Sequence, residues 1–207
     1  MIDAIAIGVS AGGVNALTNL LPGLPADFRC AVMIVQHLPE DSMGALVSIL
    51  HQTCRMPLKE AEVGERIRGG SVYLAPPGYH LLVENNRTFS LSNDGPVNHA
   101  RPSIDVLFES AADAYEERIA GVILTGANSD GAAGLAAIKR AGGVTIVQNP
   151  ETAESPAMPR AALRATQVDF QLNLVDIAPL LCTLSRTRMG DVPAQGTSHA
   201  AQSRCPG

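Results

Sequence analysis

The sequence predicts an α/β domain with a doubly wound, mostly parallel sheet, and three observations lead there. Four short, nearly continuous apolar runs, 2–9, 31–36, 119–124 and 144–147, have the length and composition of strands buried on both faces. Segments whose apolar residues recur at helical spacing separate them. Alternation of the two patterns implies helix layers on both sides of one sheet, a Rossmann-like three-layer arrangement. Once, between the second and third runs, an excursion of short β-like pieces interrupts the alternation.

The first run ends abruptly in Gly8-Val9-Ser10-Ala11-Gly12-Gly13 and passes straight into a helical pattern. The second ends in Gln36-His37-Leu38-Pro39, and Met43, Leu46, Val47 and Leu50 then follow helical spacing behind Asp41-Ser42. In the excursion, runs 71–75, 79–84 and 88–91 are punctuated by Pro76-Pro77-Gly78 and Asn85-Asn86, which reads as antiparallel hairpins at the sheet edge or as a flap over one end. Pro102-Ser103 opens a helix that carries Ile104, Leu107, Phe108 and Ala111 on one face. The third long run empties into Leu124-Thr125-Gly126-Ala127-Asn128-Ser129-Asp130-Gly131, and a helix begins near Ala132. After about Ser185 the chain turns polar with scattered Gly and Pro, so residues 1–185 are expected to form one domain and 186–207 a disordered tail.

Composition narrows the function classes. The 207 residues are 46% hydrophobic and 17% charged, which suits a globular chain with one sizeable core. A formal net charge of -5 and 3% aromatic content supply neither the basic surface nor the stacking platforms that nucleic acid requires, so no nucleic-acid partner is expected. No apolar run approaches the roughly 18 residues of a membrane span, so no membrane insertion is expected either. Cys30, Cys54, Cys182 and Cys205 stand far apart, without the paired spacing of a zinc site. The expectation is a cytoplasmic protein with reduced thiols and no bound metal.

Ser10 has two local readings. As a dinucleotide fingerprint, Gly8-x-Ser10-x-Gly12-Gly13 is flawed, because Ser10 replaces the glycine that lets a pyrophosphate approach, although a simple phosphate could still sit at the helix N-terminus. The same residues spell G-x-S-x-G, the strand-to-helix elbow that exposes a nucleophilic serine at the carboxyl edge of a sheet. His37 ends the second strand at the same edge, where a hydrogen-bonded loop histidine is the plain alternative to a catalytic base. Asp130 arrives after the third, where it could instead cap the helix at Ala132. The conjunction carries the chemistry: serine attacks, imidazole takes and returns its proton, and carboxylate orients the imidazole.

Six blocks in order then resemble one family: Gly8 to Gly13, Val35 to Pro39, Ala75 to His80, Arg101 to Asp105, Leu124 to Gly131, and Met158-Pro159-Arg160. They are similar to the catalytic domain of the chemotaxis protein-glutamate methylesterases, the CheB family, over about residues 2–184. The resemblance implies a serine hydrolase that needs no cofactor and demethylates glutamyl methyl esters on the cytoplasmic helices of chemoreceptors, with deamidation of certain glutamines as a companion activity. It casts Ser10 as nucleophile, His37 as general base and acid, Asp130 as the orienting residue, and the backbone N–H groups of His37 and Ala127 as oxyanion donors.

Arg101 and Met158 become candidates for the substrate cleft, while Pro102 and Ser103 also make an ordinary helix start. His80 and Arg160 are open in the same way, and His51 reads as a solvated or dipole-favoured histidine at a helix end. Three departures accompany the resemblance. Ala11 stands where relatives carry Thr, Ala127-Asn128 stands where Met-Gly is common, and the chain starts at the first strand, where relatives carry a receiver domain. A stand-alone esterase or a fragment of a longer product follows, with control by receptor docking or by a separate regulatory partner. Two other readings stay open: a small-ester hydrolase of the same fold, and a non-catalytic phosphate- or receptor-binding module.

Overall fold

The computed structural model describes residues 1–39 and 42–187. Its elements run β1 (Ala4–Val9), α1 (Gly13–Leu20), β2 (Ala31–Gln36), α2 (Met43–Thr53), β3 (Leu58–Glu60), β4 (Val72–Leu74), β5 (His80–Val83), β6 (Phe89–Ser92), α3 (Ile104–Tyr115), β7 (Ile119–Ile123), α4 (Ala132–Arg140), β8 (Val144–Gln148), α5 (Ala157–Ala165), β9 (Phe170–Leu172) and α6 (Leu174–Leu184). Seven strands form one sheet in the order β3-β4-β2-β1-β7-β8-β9, with every neighbouring pair parallel.

Continuous apolar runs make the central strands because both faces must be covered. Every residue of β1, β2, β7 and β8 is buried. Alternate side chains divide the core in two: Ile5, Ile7 and Val9 pack with α1, α2 and α6, whereas Ala4 and Ala6 pack with α3, α4 and α5. The second face of β1 carries only small residues, which lets α3 come close. A Cβ on Gly8 would lie 2.3 Å from Cγ2 of Ile104, so nothing larger than glycine fits at that end of β1 without moving α3.

The excursion differs from expectation in one part. Run 71–75 is not half of a hairpin: as β4 it lies between β3 and β2, and Val72 is in register with both Leu58 and Val32. Pro76-Pro77-Gly78 turns the chain out of the sheet, and such punctuation fixes that a turn occurs without fixing which strands pair. Only the second turn builds a hairpin, in which β5 pairs antiparallel with β6 from His80↔Ser92 to Val83↔Phe89. This two-stranded sheet does not extend the main one. Leu81, Val83 and Phe89 join the core beneath α3, and the Val83 N–H donates to Ser110 Oγ at 3.1 Å.

The winding places the site. From β1 the chain moves outward to β2 and β4, then α3 carries it back so that β7 lies on the other side of β1. The order therefore reverses at β1, and the crevice beyond the carboxyl ends of β1 and β7 is where open α/β sheets hold ligands. Ser10, His37 and the 124–131 loop all emerge at that edge. The last element of the described residues is α6, ending at Leu184, and the tail expected from Arg186 on lies outside the described residues beyond Thr187.

Candidate active site

Ser10 sits in a turn held from two sides. Its N–H donates to Thr125 O at 3.0 Å, and the Gly13 N–H closes the turn on Ser10 O at 2.9 Å. Gly12 opens α1 at φ 77, in the left-handed region that glycine enters without penalty. Gln36 then ties this turn to the next strand end, because its buried Nε2 donates to both Ser10 O at 3.0 Å and His37 O at 2.9 Å. Thr125 adds the third loop: its Oγ1 donates to Ala11 O at 2.8 Å and accepts the Ser155 N–H at 2.8 Å. Its N–H is taken by Gln148 Oε1 at 3.0 Å.

His37 meets Asp130 through Nε2 and Oδ2 at 2.9 Å, with side-chain exposures of 14% and 0%. The carboxylate is heavily wired. Oδ1 accepts from Ser103 Oγ at 2.8 Å, Asn98 Nδ2 at 3.2 Å and the Asp105 N–H at 3.2 Å, while Oδ2 also accepts the Ile104 N–H at 2.6 Å. Asp130 thus caps α3 with its charge at the positive helix end, while Gly131 at φ 87 opens α4. The helix it serves is not the one that follows it in sequence. Burial alone would push this carboxyl up, but the bonds from His37, the Ile104 N–H, Ser103 and Asn98 outweigh that effect and hold it below the ordinary carboxylate range.

A second buried acid shows the opposite balance. Asp105, in the first turn of α3, accepts from the Gly134 N–H at 2.6 Å and from Asn98 Nδ2 at 2.7 Å. Burial, aided by the charge on Asp130, pushes it above the ordinary range despite those bonds. Asn98 bridges the two acids from a loop where Asn98 and His99 both take left-handed backbone angles, φ 51 and 62. Such conformations persist only where surrounding contacts hold them. Ser103 is braced in turn, since its N–H donates to Nδ1 of buried His80 at 3.1 Å and His80 Nε2 meets Gly95 O at 3.1 Å.

Ser10 and His37 share the walls of two clefts. One, of about 350 Å³, is also lined by Leu38, His99, Arg101 and Asn128; the other, of about 540 Å³, runs along Ala11 to Asn15 and reaches Glu154. Ser10 Oγ makes no hydrogen bond among the described residues. The other ring nitrogen of His37, Nδ1, instead faces Asn128 Nδ2 at 3.3 Å.

Two sequence expectations need correction. The His37 N–H donates to Val9 O at 3.1 Å, extending the β1–β2 ladder by one rung, so it is not free to hold an oxyanion. Met158 is 1% exposed and packs its thioether over Gly126, where an added Cβ would lie 2.7 Å from Sδ; it supports the loop from below instead of lining the cleft. Ala127 is exposed, and its N–H has no partner among the described residues. Arg101 does reach the cleft wall, with Nη1 donating to Asn93 O at 2.9 Å and Asp94 O at 3.1 Å. His51 lies in the last turn of α2 with Nε2 on Leu58 O at 2.8 Å.

Gln36, Asn98, Ser103, Asp105 and Asn128 were not anticipated as site residues. Ser103 and Asp105 carry a faint signal, as polar residues at the mouth of an apolar helix face; Asn98 carries none, because its partners are distant in sequence. Among the described residues no cluster of three or more His, Cys, Asp or Glu could hold a metal ion, and no helix is long and apolar enough to cross a membrane.

Residues 5–181 match the family model of CheB methylesterase. The chain belongs to the CheB methylesterase family. It is 52% identical over 187 residues to a Leptospira interrogans relative, covering 90% of this chain and 97% of that one. It is 40% identical over 159 residues to the protein-glutamate methylesterase/protein-glutamine glutaminase of Symbiobacterium thermophilum, covering 77% of this chain and 44% of that one. The crystal structure of the Thermotoga maritima CheB methylesterase catalytic domain superposes with a TM-score of 0.85 at 33% identity, covering 89% of this chain and 99% of that one. The chain therefore spans a catalytic domain of the CheB family, on the fold its motifs implied.

Proposed function

We propose that this chain is a serine hydrolase that cleaves glutamyl methyl esters on the cytoplasmic helices of methylated chemoreceptors and converts certain receptor glutamines to glutamates. One observation carries the reading: in a CheB-family chain, a half-buried histidine is paired at 2.9 Å with a fully buried carboxylate, beside Ser10 at the switch point of the sheet. The phosphate-binding alternative, at the N-terminus of α1, has no comparable support, since the Gly13 N–H there is bonded to Ser10 O and the acidic Glu154 side chain lies against Gly12.

Ser10 Oγ attacks the ester carbonyl carbon and passes its proton to His37. Because Nε2 is committed to Asp130, Nδ1 is the nitrogen that receives it. The tetrahedral oxyanion is held by the Ala127 N–H and by the N–H of Ala11, which also lacks a partner among the described residues and follows the nucleophile as in other serine elbows. Collapse breaks the carbon–oxygen bond, His37 returns the proton, and methanol departs. Water then adds to the acyl-enzyme with His37 again as base, releasing glutamate and free Ser10. For a glutamine the leaving group is ammonia and the remaining steps are the same. We further assign residues 1–185 as the catalytic unit and place it in the cytoplasm, where its receptor partner and any separate regulatory partner would meet it.

The test is methanol release from methylated receptor fragments by the protein and by its Ser10→Ala variant. Release that vanishes in the variant supports the reading. Equal release from both, or release only from small esters, would overturn the assignment of nucleophile or of substrate.

A further inference from the structure

We infer that Asn128 is a removable cap on the base nitrogen of His37, so that the resting site holds its general base away from Ser10 until Asn128 swings aside. The catalytic consequence rests on the function proposed above; the cap itself does not.

The orientation of the Asn128 carboxamide is fixed by its other end. Its Oδ1 accepts the Asp130 N–H at 3.2 Å, which leaves Nδ2, a donor only, aimed at His37 Nδ1 at 3.3 Å. A donor can meet Nδ1 only when that nitrogen carries a lone pair. The ring proton must then sit on Nε2, where it is donated to Asp130 Oδ2 at 2.9 Å. Asn128 and Asp130 therefore hold the two sides of one imidazole in a single tautomer, with Nδ1 basic and occupied.

Occupation is the point. Nδ1 has one in-plane lone pair, and Ser10 Oγ–H needs it before it can attack, yet Ser10 Oγ has no hydrogen bond among the described residues while Asn128 has the contact. Both Asn128 bonds are near the long end of the normal range, so the cap is weak. It also sits on the cleft wall next to exposed Ala127, where an entering substrate would reach it first. One neutral hydrogen bond contributes about 1 kcal/mol net, so losing the cap should raise the reactivity of Ser10 about fivefold.

Two variants with opposite signs make the test. Asn128→Ala removes the donor; Asn128→Asp keeps an acceptor for the Asp130 N–H but turns an acceptor towards Nδ1, which then retains a proton. The readouts are the ¹⁵N resonance of His37 Nδ1 and the rate at which a small organophosphonate labels Ser10 at pH 7. The expected result is that Asn128→Ala moves the Nδ1 resonance to that of an unbonded lone pair and speeds labelling about fivefold, while Asn128→Asp moves it towards the protonated position and slows labelling. An Nδ1 resonance unchanged in Asn128→Ala overturns the cap. So does slower or equal labelling in that variant, which is the mark of a purely structural asparagine. If Ser10 is never labelled in any form, the proposed function fails, and the Nδ1 resonance still decides the cap by itself.

Discussion

Both ends of the parallel sheet carry an aspartate facing cationic or protonatable partners above a hollow. At the amino ends of the strands, Asp3 meets Arg118 at 2.6 Å and Arg87 at 3.2 Å, beside a hollow of about 630 Å³. At the carboxyl ends, Asp130 meets His37 at 2.9 Å beside two smaller clefts. The larger hollow holds the weaker chemistry. Asp3 is 27% exposed, and its arginines are 40% and 52% exposed, so water screens the pairs and each adds at most about 1 kcal/mol. Asp130 is fully buried and satisfied by five donors, four of which are on one loop and helix end that have no freedom to turn away. On the proposed function, reactivity at the carboxyl edge follows from burial and wiring, which the size of a cavity does not report.

Changes at the carboxyl edge should therefore be large and those at the amino edge small. Ser10→Ala should lower ester hydrolysis by about 10⁶-fold with melting temperature preserved, measured as methanol release and by calorimetry. Asp130→Asn should cost about 10⁴ in rate, because His37 loses its fixed tautomer, and should also cost about 3 kcal/mol in stability through the donors it leaves facing an amide. That stability gap has a pH sign. The folded-state carboxyl of Asp130 is held below its unfolded value, so its contribution is complete above the ordinary carboxylate range and is lost as pH falls through the lowered folded value. Urea melts of wild type and Asp130→Asn should accordingly keep a constant gap from pH 7 down to the ordinary carboxylate range, about 4, and begin to converge only below it. Ser103→Ala, which removes one donor of the five, should cost about 1 kcal/mol and a severalfold drop in rate. Asp3→Asn, which removes both pairs, should change stability by no more than about 2 kcal/mol and leave hydrolysis unchanged; a large loss of activity there would show that the two edges are not independent.

The carboxyl edge was also the more legible of the two in sequence. Buried central strands announce themselves by unbroken apolar runs, so the sequence alone sends the residues that follow them, Ser10, His37 and Asp130, to one edge. The outer strands could not be placed. β3 and β9 have three residues each and are partly exposed, too short for a period to show. β4 looked like a hairpin arm because punctuation marks where a chain turns but says nothing about its hydrogen-bond partner. The wiring around Asp130 was hidden for a related reason. Asn98, Ser103 and the Ile104 N–H lie 26 to 32 residues away from it, and only the return of α3 across β1 brings them to the carboxylate. The engaged His37 N–H is equally hidden, because a ladder rung one residue beyond the strand is a backbone feature that side-chain identity does not carry.

The proposed function requires that the buried wiring at the carboxyl edge make Ser10 a nucleophile. It is tested most directly, and without any choice of substrate, by the site and rate of organophosphonate labelling in wild type and in Asp130→Asn, followed by intact-mass and peptide mass spectrometry. One adduct is expected, on Ser10, forming at least about 10²-fold more slowly in the variant. An adduct on another residue, or equal rates in the two proteins, would contradict it.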